Sequence, residues 1–398
     1  MTTAETHNTV EGEATVEPEG AGVTEGFEAA FLPWLGMAKS ISVGPVTFSP
    51  FEPESEAEPV VREYLGRYFP RYVEVDGEPI RVIVVARHTG VTGLRYHTPP
   101  ERLDLTRAAS ALSLSGITEA LTVRIVHHNE VPVPSADSFQ LIFQRFTAGS
   151  RFVAVTAGRS HHVWPLDKVT FTRPWAASSV FGGADRHLLE ALGTLLLTPG
   201  RFAPEFVQRV WHSVEWFRLA HLDGADQTDE AKLVAMATAF ESLFGLAISS
   251  KQEAFAKRVE SRVTDAEMDC DVRVKRNGKA INLSLAGCWA WDFYELRSRL
   301  VHGDAIPAHA FNTAHGTPHL VVADLAFREC LLHELFQFEC FGADLRDAAA
   351  RLDHALVGIP DGPEPFDALE WAFDLHLEFG RIHKELGFSK PETPRRSP

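Results

Sequence analysis

The sequence predicts an α+β protein, with an N-terminal mixed, β-rich part followed by an all-α helical bundle carrying an inserted β-hairpin. Three observations predict it. Between about 40 and 175, short strand-like runs are separated by turn residues. After about 185, apolar residues recur at helical spacing in four long segments. Within the helical part, "DVRVKRNGKAINL" centres Asn277-Gly278 between two short alternating runs, which is a two-residue hairpin signal.

The elements follow in chain order. Residues 1–26 hold no aromatic residue and no positive charge. They bury too little apolar area to offset chain entropy, so a disordered acidic tail is expected. Phe27 opens an apolar patch, "FEAAFLPWLGMA", where order begins. "SISVGPVTF" reads as strand, turn, strand. "YVEV" and "IRVIVVARH" flank "DGEP" and read as a hairpin, and "SFQLIFQRF" and "RFVAVTAG" as another pair of strands. Helical periodicity appears near 56–68 and 101–114. Residues 27–185 are therefore expected to form an α+β domain.

Residues 186–345 are expected to form the bundle. Its helices are "APEFVQRVWHSVEWFRLAHL", with Pro204 in the first turn, then "DEAKLVAMATAFESLFGLA", "LAGCWAWDFYELRSRLVHG" and "HLVVADLAFRECLLHELFQFECFG". Residues 346–398 add one helical stretch, "FDALEWAFDLHLEFGRIHKEL", and a frayed tail.

Composition narrows the function classes. The chain has 398 residues, 45% of them hydrophobic, enough for a sizeable core and two or three domains. Cys270, Cys288, Cys330 and Cys340 form no CxxC pair and no zinc spacing, so buried thiols in a reducing compartment are expected. No signal peptide and no membrane span of roughly 20 apolar residues is visible, which predicts a soluble cytoplasmic protein. The N-terminal half contains no GxGxxG, P-loop, GxSxG or HExxH, and no cofactor is expected.

The net charge of −16 is unevenly spread. Residues 1–60 hold eleven Glu against the single basic Lys39, for a net of −10. Residues 201–305 carry fourteen Lys and Arg against sixteen Asp and Glu, for a net of −2. Polyanion binding depends on the local field, so the acidic total does not exclude RNA.

Chemistry concentrates in "YELRSRLVHGD", residues 294–304. Arg297 precedes His302 by five positions, and Gly303 suits the left-handed position that ends a helix. One reading is punctuation, because cations in a last turn interact favourably with the helix dipole. The other is an acid–base site for cutting RNA. Residues five apart on an ideal helix are about 140° apart, so Arg297 and His302 do not share a face. Either the helix ends between them or a second chain completes the site, which predicts a homodimer or higher even oligomer. The same spacing recurs at Arg328 and His333, in mid-helix. There a local, structural partner is expected, at the modest stability value of an exposed helical charge.

"FYELRSRLVHG" resembles the motif helix of the Apea-like HEPN family, and "VEWFRLAH" and "KLVAMATAFESLF" resemble that family's first two helices. The resemblance covers roughly residues 203–342. It implies a four- or five-helix bundle that commonly dimerises, and a metal-independent ribonuclease signature of Arg, a polar residue and a downstream His. Here these are Arg297, Ser298 and His302. The implied products are a 2′,3′-cyclic phosphate and a 5′-OH, and the implied setting is anti-phage or toxin-like defence. A phage-derived or protein trigger would act on the N-terminal part. The residue types suit the task. A histidine near its usual pKa moves a proton close to neutral pH, and a guanidinium holds the phosphate as negative charge builds.

Other candidates are weaker. Glu241 is the only carboxylate in "TAFESLF", either on a solvent edge or orienting Arg297 or His302, as the resemblance implies. Arg299 shares a face more nearly with His302 and is a substrate-binding candidate. Arg273, Lys275, Arg276 and Lys279 make the hairpin basic, either as a solvated face or as a clamp on RNA phosphates. His127-His128 and His161-His162 are adjacent pairs whose side chains point to opposite faces of a strand, so no metal site is expected.

Overall fold

The structure is a computed structural model that describes residues 26–91, 95–126, 132–157, 160–178, 181–224, 227–246, 251–263, 272–276, 279–313 and 316–340. Residues 1–25 of the expected 1–26 tail, the pair His127-His128, the hairpin turn Asn277-Gly278 and the helical stretch after 340 lie outside the described residues, while Gly26 opens a strand.

The N-terminal part is built on an antiparallel five-stranded sheet. Its strands are β1 (Gly26–Leu32), β2 (Ile41–Val43), β3 (Val46–Pro50), β5 (Val84–His88) and β6 (Ile142–Thr147), in the order β2-β3-β5-β1-β6. Strand β1 begins at the apolar patch and is buried on both faces. Ala30 and Leu32 face one core, and Ala29 and Phe31 the other. Alternation of side chains across the pleat produces this division. The first core receives α2 (Pro99–Val126) and α3 (Arg186–Leu197). The second receives α1 (Pro59–Tyr68), whose Tyr64, Leu65 and Tyr68 pack with Phe27, Phe31 and Phe146.

Three expectations in this half need correction. "YVEV" contributes only β4 (Tyr72–Val73), which pairs in parallel with β9 (Phe171–Thr172), while β5 pairs with β1 and β3. The turn at "DGEP" does form, closed by the Glu74 N–H donating to the Glu78 carbonyl at 2.7 Å. Likewise β6 pairs with β1, while β7 (Phe152–Ala157) pairs with β8 (Ser160–Pro165). Finally, α2 runs twelve residues beyond the expected 114, to Val126.

The helical part comprises α4 (Pro204–Ala220), α5 (Asp229–Phe244), α6 (Lys251–Val263), α7 (Leu285–Val301) and α8 (His319–Gln337). The hairpin of β10 (Val272–Arg276) and β11 (Lys279–Leu283) is inserted between α6 and α7, with Arg276 opposite Lys279. Three of the starts have a local cause. Pro204 opens α4, the Thr228 hydroxyl accepts from the Ala231 N–H ahead of α5, and Ser284 accepts from Gly287 ahead of α7. Gly245, at φ +59°, ends α5.

Phe240 on α5 centres the bundle core. Its ring lies 5.3 Å from Phe255, 5.2 Å from Phe327 and 6.3 Å from Phe293, which places α5 against α6, α8 and α7. Phe240→Ala would cost about 3–5 kcal/mol at such a site. The first core is continuous from the sheet through α2 and α3 into these helices, so it crosses the expected boundary at 185. Among the described residues no helix is long and apolar enough to cross a membrane.

Candidate active site

The expected motif lies in the last turn of α7. The helix does not end between Arg297 and His302. It runs to Val301, and His302 itself keeps a helical conformation at φ −81°, ψ −4°. The His302 N–H donates to the Ser298 carbonyl at 3.1 Å. Termination comes one residue later. Gly303 sits at φ +80° and donates to the Leu300 carbonyl at 3.1 Å, and Asp304 donates to the Arg299 carbonyl at 3.0 Å. These two bonds form a Schellman closure, which needs a left-handed residue and therefore glycine. His302 is left exposed on the outer surface of this turn.

Arg297 points elsewhere. Its Nη2 lies 3.0 Å from Glu241 Oε1, on the last turn of α5. The Tyr294 hydroxyl donates to the same oxygen at 2.9 Å, and the Arg297 guanidinium lies 5.5 Å from the Tyr294 ring centre. Lys251 Nζ, at the first residue of α6, reaches Glu241 Oε2 at 2.8 Å. Glu241 is thus a junction of three helices. Burial, with acceptance by Glu241, pushes the Tyr294 hydroxyl pKa upward, so Tyr294 remains a neutral donor. The Arg297 Nε is buried and has no hydrogen-bond partner among the described residues.

The remaining candidates divide. Glu241 contacts Arg297, as the orienting reading expects, and is not on a solvent edge: its side chain is only 13% exposed. Ser298 offers His302 its backbone carbonyl. Arg299 is engaged in the closure, with its Nε 3.8 Å from Asp304 Oδ2 and its Nη2 donating to the Ala305 carbonyl at 3.4 Å. That is the punctuation role. Arg273, Lys275, Arg276 and Lys279 belong to the hairpin that leads into the N-terminal end of α7. Arg297 lies twelve residues along that helix from Leu285, about 18 Å by helical rise, so the hairpin's attachment and the motif stand at opposite ends of α7. His162, on β8, is exposed.

The second copy of the spacing behaves differently from the expectation. Arg328 is 6% exposed and ion-pairs with Asp185 at 2.5 Å and with Glu329. Asp185 also accepts from the His187 and Leu188 N–H groups and so caps α3. The pairing is structural, but the residue is buried and one partner is remote in sequence. Its loss is therefore far from the modest cost of an exposed charge.

Two site residues were not singled out from the sequence. Tyr294 lies inside the quoted motif, three residues before Arg297, a spacing that puts both on one helix face. Lys251 lies ten residues after Glu241, on the next helix, with no periodicity linking the two. Compared with protein-family models, curated proteins and solved structures, the chain matches none of them.

Proposed function

We propose that the chain is a metal-independent endoribonuclease of HEPN type, acting in cytoplasmic anti-phage or toxin-like defence. The observation that supports this best is the division of labour at the end of α7. Arg297 is held by Glu241 and Tyr294, while His302 is presented to solvent by the Gly303 closure. A fixed cation and an accessible imidazole are what transesterification of RNA requires. The 2′-oxygen attacks phosphorus, the bond from phosphorus to the 5′-oxygen breaks, and one proton moves from the 2′-OH to the leaving oxygen. His302 carries that proton, and Arg297 stabilises the charge on the phosphoryl oxygens.

Because α7 continues through Val301, one chain turns the two residues to different sides. A two-fold dimer would bring two Arg297 and two His302 side chains together, so that one imidazole acts as base and the other as acid. The N-terminal α+β part would then sense a phage-derived or protein trigger. The alternative is a non-catalytic HEPN-like dimerisation or RNA-binding module. It is favoured by the packing of Arg297 between Glu241 and Tyr294, which alone explains why an arginine stands there.

The test is incubation of purified protein with labelled RNA in EDTA, followed by end-group analysis. Cleavage leaving 2′,3′-cyclic phosphate ends is expected. RNA that stays intact, or is cut only when a divalent ion is supplied, contradicts the proposal.

A further inference from the structure

The charge balance around Glu241 is unequal. Two cations, Arg297 and Lys251, share one carboxylate, and neither has another acidic partner among the described residues. Glu295 accepts from the Gln252 side-chain amide at 2.9 Å, and no ion pair joins it to either cation among the described residues. The contact with Arg297 is also one-sided. Oε1 divides itself between Tyr294 and the guanidinium, and Oε2 goes to Lys251. Glu241 therefore cannot grip the guanidinium fork with both oxygens, and the buried Nε is left unpartnered. Both cations remain reachable, with side chains 21% and 27% exposed.

Two cations on one carboxylate, and a guanidinium fork that this carboxylate meets on one side only, describe an anion site in its resting form. We infer that Lys251 and Arg297 form a seat for a phosphodiester of single-stranded RNA, and that Glu241 is the resident counter-ion that the phosphate displaces. This rests on the RNA-directed reading above, and adds Lys251 to it as a binding residue. Once Glu241 has moved aside, a phosphate has two free oxygens to offer the guanidinium, where Glu241 offers one that it shares with Tyr294. Lys251, as a compact point charge, completes the seat from the other side.

The seat gives opposite signs for its two kinds of residue. A carboxylate that merely supports Arg297 weakens binding when it is neutralised. A carboxylate that competes with the ligand strengthens binding when neutralised. The experiment measures binding of a fluorescent, 2′-O-methylated oligonucleotide, which cannot be cut, by wild type, Lys251→Gln, Lys251→Arg, Arg297→Gln and Glu241→Gln over a range of KCl. Melting curves run alongside. Glu241→Gln is expected to bind severalfold tighter, even though it melts lower. Lys251→Gln should bind more weakly, with a salt slope smaller by about 0.7, the value for one phosphate contact on a single strand. Lys251→Arg should restore the wild-type slope, which separates lost charge from lost fold. Weaker binding by Glu241→Gln, or a wild-type slope in Lys251→Gln, overturns the seat. Because the probe is uncleavable, a protein that binds with these signs but never cuts ordinary RNA keeps the seat and loses only the nuclease.

Discussion

Arg328 Nε lies 2.5 Å from Asp185 Oδ2, joining α8 to the N-terminal cap of α3. Arg297, at the same spacing before a histidine, instead reaches Glu241, and its side chain is 21% exposed. One sequence pattern thus has two physical meanings, and burial separates them. Removing Arg328 leaves Asp185 without its charge partner inside the protein, a loss of about 3–5 kcal/mol. Arg328→Ala is therefore expected to lower the unfolding midpoint severely in urea titration, while Arg297→Ala moves it little. Equal midpoints for the two variants would contradict this assignment.

The Gly303 closure makes a second prediction. No side chain crowds the position, so only backbone conformation resists substitution there. A left-handed alanine costs about 1–2 kcal/mol. Gly303→Ala should lose roughly that much stability in urea titration. It should also release the His302 turn, read as faster amide exchange at His302 and Asp304. Unchanged exchange would mean that the closure does not hold the histidine.

His319 provides a pH dependence. It is buried at the start of α8, where its Nδ1 accepts from the Trp289 indole N–H at 3.2 Å. Burial pulls its pKa from 6.5 down to about 4. Below pH 6.5 the unfolded chain binds a proton that the folded chain refuses until about pH 4. Stability from this group is therefore complete above 6.5 and is lost on acidification through that window, by on the order of 3 kcal/mol. Unfolding at pH 7 and pH 4.5 should show that His319→Gln removes this part of the slope. A variant with the wild-type slope would place the acid sensitivity elsewhere.

Assembly is predicted by the uninterrupted helix between Arg297 and His302. Sedimentation should give a dimer or higher even oligomer. Mixing Arg297→Ala with His302→Ala protomers should restore part of the cleavage that neither shows alone. A fully active monomer would remove the need for a composite site.

How much of this was legible in the sequence depended on the kind of contact involved. Helices α4 and α5 are readable because each buries a stripe at helical period, as with Phe206, Val210, Val214 and Phe217, while α7 and α8, buried on most faces, are readable from the length of their apolar runs. Helix α3 does carry a helical stripe, Leu188, Leu189, Leu192, Leu195 and Leu196, and its short, Leu-rich run "HLLEALGTLLL" lies just after the expected boundary at 185. Helix α6, "KQEAFAKRVESRV", was hidden by a stripe reduced to Phe255, Ala256, Val259 and Val263 among charges. The second half of α2 shows no polar face, because it is buried almost all round. Strands were located but their partners were not, since pairing of β1 with β6 joins residues more than a hundred positions apart. At the site, the Gly303 terminator was local and therefore visible. The meeting of Lys251 with Glu241 is tertiary and left no local trace.

Single-turnover cutting of one labelled RNA in EDTA isolates the proton transfer assigned to His302. His302→Ala should lose at least the factor of about 10²–10⁴ expected for acid–base catalysis, with a melting temperature close to wild type. Cleavage by His302→Ala at the wild-type rate would contradict the account.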